Sequence, residues 1–248
     1  VGNRAGAGAL GTNCPPAQPD RVQSFATEVA PATTGNLVWN NLRPGTYLIE
    51  SGTHPSIQGP MGLYGVLVVT AAPAGGAGTA YPGVAYDSEL PLVFSEIDPV
   101  QNAAVALAVS TAGFSETKVW NGRAGECGDP AAAVGVANTC YPPAVNYDPR
   151  YYLINGVSYD QSIPGRSQFA TTPLAATGSV LVRFVNAGLR MHVPSIVGAQ
   201  TGAAAAGFGL IAEDGNPLPG TTRVQSEVFM AAGKTAAETI GNVIAKAD

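Results

Sequence analysis

Two histidines, His54 and His192, and three cysteines, Cys14, Cys127 and Cys140, are spread over 248 residues. Imidazole and carboxylate together suit borderline ions such as manganese or copper(II), so Glu50 and His54 are weak candidates for a small metal site. The simpler reading of His54 is a hydrogen-bonded histidine in the turn Thr53-His54-Pro55. His192, between Met191 and Val193-Pro194, reads as a packed, hydrogen-bonded histidine. Glu213-Asp214 precedes Gly215, but a calcium loop of the EF-hand type needs oxygens at alternate positions and a distant glutamate. An Asp-Gly turn between strands accounts for these residues.

Nucleophilic and nucleotide chemistry find little support. There is no G-x-S-x-G elbow, and no G-x-G-x-x-G opens a predicted helix after a strand. A carboxylate pair for glycoside hydrolysis meets only in the fold, and nothing here singles one out. Tyr147, Tyr151 and Tyr152 offer stacking surface, though tyrosines on strands mostly serve packing. Cys127 and Cys140 bound a short Gly/Ala-rich loop that a disulfide would restrain. Neither belongs to a C-x-x-C and no histidine is near, so zinc and dithiol redox chemistry fit less well. Buried free thiols are the alternative. Cys14 is left over, with any partner expected outside this chain.

The elements that would position these groups are short and numerous. Hydrophobic residues make up 46% of the chain, enough for a core, while charged residues make up 12%, about half the usual share. Thirty-one glycines and 20 prolines punctuate it throughout, which favours many strands joined by turns. The net charge of −5 with no basic stripe argues against a nucleic-acid partner. The longest apolar run, Gly65–Ala72, is far short of the ~20 residues of a membrane-spanning helix. The chain opens on Val1 without a signal-peptide pattern, which suggests a processed or truncated start.

Residues 1–20 read as an irregular lead-in. Strands are expected at Val22–Val29, Gly35–Leu42, Thr46–Ser51 and Tyr64–Thr70, with turn chemistry at Asn40-Asn41 and Arg43-Pro44-Gly45. Ala71–Pro82 is small, uncharged and Gly/Pro-rich, as in a linker. Then follow a strand at Leu90–Ile97, a short helix at Gln101–Ser110 and the cysteine loop Asn121–Asn146. Further strands are expected at Tyr151–Tyr159, Ser179–Asn186, Met191–Val197, Phe208–Glu213 and Arg223–Met230. Ala236–Asp248 is ambiguous between helix and strand.

The segment Gly45–Val69 (GTYLIESGTHPSIQGPMGLYGVLVV) resembles the motif closing the first cupredoxin domain of multicopper oxidases. Gly45-Thr46-Tyr47, Gln58 and Gly62-Leu63-Tyr64-Gly65 match it. Leu90–Asp98 (LPLVFSEID), Tyr152–Gly156 (YLING), Val182–Gly188 (VRFVNAG), Met191–Gly198 (MHVPSIVG) and Ile211–Asn216 (IAEDGN) echo the following domain in order, so the resemblance spans about residues 36–235. It implies an all-β fold of two tandem cupredoxin-like Greek-key sandwiches: a partial domain at 1–74, a linker at 75–85 and a second domain at 86–248 holding the disulfide-closed loop.

In that family the motif carries a His-x-His pair whose imidazoles point to one side of a strand and help hold a trinuclear copper cluster. Here those positions are Glu50 and Gly52. Glycine offers no ligand and glutamate is a hard oxygen donor poorly suited to copper(I). With two histidines in all, the chain cannot build the cluster, nor a mononuclear site of two histidines and a cysteine. The expectation is therefore no cofactor within this chain, with copper possible elsewhere in a longer polypeptide, and no catalysis by this chain alone. The resemblance implies the scaffold part of a secreted bacterial multicopper-oxidase-like protein, in an extracellular, cell-surface or periplasmic setting. The alternative is a copper-free relative with a structural role in an extracellular assembly. Partners would be the remaining domains of the polypeptide or further copies of it, without nucleic acid or a membrane span.

Overall fold

The computed structural model describes residues 29–30, 32–52, 54–72, 78–116, 118–160, 162, 178–196, 200–201 and 205–241. The chain falls into two compact units, Val1–Leu42 and Arg43–Asp248. In the first, Gly35–Leu42 is irregular, where the sequence suggests a strand. Val38 is 66% exposed and Asn41 adopts a φ of 56°; apolar residues favour a strand only where a pleated face can be buried. Cys14, the lead-in and residues 22–28 of the first expected strand lie outside the described residues.

The second unit is all-β with a few short helices. In chain order come β1 (Gly45–Glu50), α1 (Pro55–Gln58), β2 (Tyr64–Val69), β3 (Gly78–Tyr81), β4 (Val84–Tyr86) and β5 (Ser88–Ile97). Next are α2 (Pro99–Val109), α3 (Val134–Ala137), β6 (Tyr151–Ile154), β7 (Val157–Ser158) and β8 (Ser179–Asn186). The last are β9 (Gln200–Thr201), β10 (Ala205–Ala206), β11 (Phe208–Glu213), β12 (Asn216–Pro217), β13 (Arg223–Gln225) and β14 (Thr235–Gly241). Eight strands form one sheet in the order β12–β11–β14–β8–β5–β6–β7, with β13 on the first half of β11. Its centre is β8, buried from Val180 to Asn186. That burial explains its run of Val, Leu and Phe without polar alternation.

Strands β5 and β8 are parallel, and a parallel pair requires a long crossover. Helix α2, the cysteine loop and the β6–β7 hairpin all lie in that crossover. Asp98 starts α2, accepting from the N–H groups of Val100 (2.9 Å) and Gln101 (3.0 Å) ahead of Pro99 at the first helical position. The expected helix was placed two residues late because this cap precedes the alanine-rich run.

Both faces of the sheet are covered. On one, Leu92 and Phe94 of β5, Val180, Val182 and Phe184 of β8, and Phe208 and Leu210 of β11 pack under Val228 and Met230. On the other, Leu181, Ala212 and Ala237 pack against Ala80 and Tyr81 of the β3–β4 hairpin. Composition makes Ala71–Pro82 a linker, with the domain boundary at 75–85, yet Ala80 and Tyr81 are fully buried. Small uncharged residues suit a buried hairpin as well as a tether, so composition could not separate the two. Helix α1 joins β1 to β2, which form a hairpin with Gly45 opposite Val69 and Glu50 opposite Tyr64.

Two strand expectations are corrected and one ambiguity is resolved. The described part of Met191–Val197, up to Ile196, and the second half of Arg223–Met230 are not strands. They meet through single bridges, His192 with Met230 and Ser195 with Glu227, because Pro194 has no N–H to extend a ladder. The ambiguous C-terminal stretch is strand β14 as far as Gly241, its apolar positions being taken up between β8 and β11. Residues 242–248 lie outside the described residues.

Candidate functional site

The motif segment Gly45–Val69 is held down at both ends. In β1 the Thr46 hydroxyl accepts from Arg183 Nη1 at 2.9 Å, and the Thr46 carbonyl accepts from the Thr235 hydroxyl at 2.9 Å. In β2 the Tyr64 hydroxyl donates to Ser95 Oγ at 2.9 Å. At the far end Gln58 accepts from Ser51 Oγ and donates to the Tyr141 hydroxyl at 3.1 Å. Ile57 is buried with Val105 of α2 and Tyr141, next to Phe114. The matched Gln58 thus ties the motif to the cysteine loop.

Glu50 and His54 are not brought together as a ligand pair by any hydrogen bond or ion pair among the described residues. Glu50 ends β1 with an exposed side chain, and partial desolvation raises its carboxyl above the ordinary range. The His54 ring packs edge-on against Tyr141, 5.0 Å between centroids, and Nδ1 lies 3.3 Å from Ser56 Oγ. No group of three or more His, Cys, Asp or Glu side chains among the described residues could hold a metal ion. A copper cluster does not fit these residues: Glu50 is a lone carboxylate, Gly52 has no donor, and the second histidine is occupied elsewhere.

That second histidine belongs to a buried network that reading the sequence did not reveal. His192 Nε2 lies 2.5 Å from Glu96 Oε1. Glu96 Oε2 accepts from the Tyr147 hydroxyl (3.1 Å) and the Leu189 N–H (3.0 Å). Burial alone would push the Glu96 carboxyl up, but the hydrogen bonds from His192, Leu189 and Tyr147 outweigh it and hold it below the ordinary carboxylate range. Burial and the Glu96 charge together push the Tyr147 phenol up. Arg190 Nη2 donates to the Tyr147 carbonyl at 2.6 Å and its guanidinium sits over the Tyr147 ring. Gly188 is required here, since a Cβ would overlap the Glu96 carboxylate. Phe94 stacks on the His192 ring and Tyr152 meets it edge-on. The network staples the chain after β8 to β5 and to the end of the cysteine loop. Every acceptor oxygen of Glu96 is engaged in that role.

The cysteine loop is itself closed. Cys127 and Cys140 are disulfide-bonded, 13 residues apart with 6.1 Å between Cα atoms. Asp129 accepts from the N–H groups of Gly125 and Ala131, both at 2.8 Å. Gly128 has a φ of 87° and lies so close to the Trp120 ring that a side chain would collide with it. Asp214-Gly215 forms the turn joining β11 to β12, both residues at positive φ. Glu213 beside it pairs with Lys234 at 2.8 Å. The acidic pair is a turn and an ion pair.

Arg183 is likewise fully buried, in the middle of β8. Its Nε donates to Glu89 at 2.9 Å in addition to the bond to Thr46. Both Glu96 and Arg183 were visible as charged residues inside apolar runs, LPLVFSEID and SVLVRFVN. The alternation of Leu92, Phe94 and Glu96 puts the glutamate on the core face. Only its partners, distant in sequence, were out of reach.

No protein-family model matches the chain, and no curated protein matches it. Solved structures do. The chain is similar to the laccase from Botrytis aclada at 15% identity and a TM-score of 0.48, covering 82% of this chain and 30% of that one. A multicopper oxidase that functions in iron import is similar at 16% identity and a TM-score of 0.45, covering 81% of this chain and 27% of that one. The blue copper oxidase from Nitrosomonas europaea is similar at 16% identity and a TM-score of 0.43, covering 81% of this chain and 46% of that one. The chain therefore spans less than half the length of each of these oxidases. No helix among the described residues is long and apolar enough to cross a membrane.

Proposed function

We propose that this chain is the scaffold portion of a secreted bacterial multicopper-oxidase-like protein and carries no copper cluster of its own. The observation behind this reading is the pair of positions where the family motif supplies imidazoles: Glu50, exposed at the end of β1, and Gly52. The hairpin, its glutamine and its glycines are kept while the ligands are not, so the segment retains its packing role without its chemistry. In this reading β1–β2 closes one sandwich, residues 86–248 build the next, and any oxidase centre lies in other parts of the polypeptide. The Cys127–Cys140 disulfide supports an oxidising compartment. The test is metal analysis of this chain produced with excess copper(II) and then desalted. Far less than one copper per chain is expected. Two or more tightly held copper ions per chain would end the proposal.

A second reading, a copper-free relative with a structural role in an extracellular assembly, is favoured by helix α2. Its sequence, PVQNAAVALAV, has no charge. Val100, Leu107 and Val109 are 75%, 46% and 50% exposed, although Val105 and Ala108 on the inner side are buried. A helix apolar on both faces is usually covered on both. Light scattering at rising concentration separates the readings. Self-association abolished by Leu107→Glu supports assembly, and a monomer at all concentrations removes its support.

A further inference from the structure

Glu238 lies in β14, between Val182 of β8 and Leu210 of β11, and has no exposed surface. Its Oε1 accepts from Gln225 Nε2 at 2.7 Å, reaching across β11 to the short strand β13. Its Oε2 is buried without a hydrogen-bond partner among the described residues. The surrounding side chains on that face are the core residues Val182, Phe208, Leu210 and Ala236.

A buried carboxylate needs donors on both oxygens or a close cation, and lacking these it takes up a proton. The charged groups around Glu238 do not supply them. Lys234, before β14, is engaged with Glu213 of β11. Arg223 of β13 is exposed. Arg183 of β8 is directed to Glu89 and Thr46. Glu213 adds like charge. Burial dominates, and with Glu213 it outweighs the Gln225 hydrogen bond, Arg223 and Lys234, pushing the Glu238 carboxyl up to about 8.

We propose that Glu238 is a proton-controlled latch: the neutral acid stays buried with β13 closed over it, whereas the carboxylate, although a stronger acceptor for Gln225, has no donor on Oε2 and gains water only when β13 opens locally. Strand β13 is paired to the sheet through three residues of β11, a short attachment whose local opening would bring water to the carboxylate. In the opened form Glu238 regains an ordinary carboxyl, near 4.5. The closed form therefore binds the proton more tightly, and its advantage is complete below pH 4.5. It is lost as pH rises from there to about 8, where the closed form also ionises and the effect levels off. Opening should increase up to roughly tenfold per pH unit within that window.

The test is amide hydrogen exchange of Arg223–Gln225 between pH 5 and 8, corrected for intrinsic rates. In the unaltered chain, protection of β13 should fall with pH while β8 amides keep theirs. Glu238→Gln, which retains an acceptor for Gln225 and removes the titration, should flatten the profile. A flat profile in the unaltered chain overturns the latch, as does an equal slope in Glu238→Gln or at the β8 amides. If that variant does not fold, carbon NMR titration of the Glu238 carboxyl decides: a midpoint near 8 supports the proposal, and one near 4.5 overturns it.

Discussion

Arg183 Nη1 donates to the hydroxyl of Thr46 across 137 positions of sequence. That bond joins the centre of the main sheet to the first strand of the motif hairpin. Since Arg183 Nε also holds Glu89, one planar side chain spans two elements. A lysine presents a single ammonium and cannot reproduce the fork. Arg183→Lys is therefore expected to lower stability by about 2 kcal/mol, less than a fully buried pair because Glu89 is one-third exposed. Urea unfolding should show the lower midpoint at unchanged slope. A midpoint equal to that of the unaltered chain would mean that the Arg183 fork contributes nothing to holding the hairpin.

His192 and Glu96 give the chain an acid-sensitive staple. The Glu96 carboxyl is held below its unfolded value, so its contribution is present above pH ~4.5 and lost as pH falls through the lower folded value. His192→Ala takes away one donor from a buried carboxylate and should cost about 2–3 kcal/mol at pH 7. His192→Gln, able to donate, should recover part of it. Thermal unfolding from pH 3 to 7 reads both, and a smaller loss for His192→Ala at pH 3 is the signature of this pair.

The cysteine loop should depend on its disulfide. Cys127→Ala with Cys140→Ala is expected to cost about 3 kcal/mol, the entropy of a closed loop of this size. Fluorescence of Trp120, packed on Gly128, should shift with the loss. An unchanged spectrum and melting temperature would show that the Asp129 turn holds the loop without the bond.

Asp98 caps α2 and also accepts from the Asp148 N–H at 2.8 Å. Asp98→Ala should therefore destabilise by about 1–2 kcal/mol, towards the upper range for a lost cap. Asp98→Asn keeps an acceptor and should cost less. Circular dichroism during urea unfolding distinguishes them; equal midpoints would assign the cap no role.

Much of the fold was legible because strands announce themselves locally. Ser179–Asn186 and Phe208–Glu213 coincide with their expected bounds, since β-branched and aromatic runs between glycine and proline breakers carry the signal. Gly35–Leu42 failed because the same local signal does not guarantee a partner strand. The 78–85 hairpin was missed because alanine, threonine and glycine are equally at home in a tether. In the candidate site, Glu96 and Arg183 are not among the residues the sequence analysis singles out, although each is a charge inside an apolar run. Their partners His192, Tyr147 and Thr46 lie 96, 51 and 137 positions away, beyond any periodicity.

The amino-acid sequence by itself determined the supply of ligands: two imidazoles, with Glu50 and Gly52 in the motif, leave nothing to surround a copper cluster. It also determined the β class, through turn residues and strand formers that act over a few positions. Only the tertiary structure decided which buried charges meet. Glu96 becomes the centre of a staple, Arg183 a clamp and Glu238 a lone acid, because the energy of a buried charge depends on donors that folding brings from remote segments.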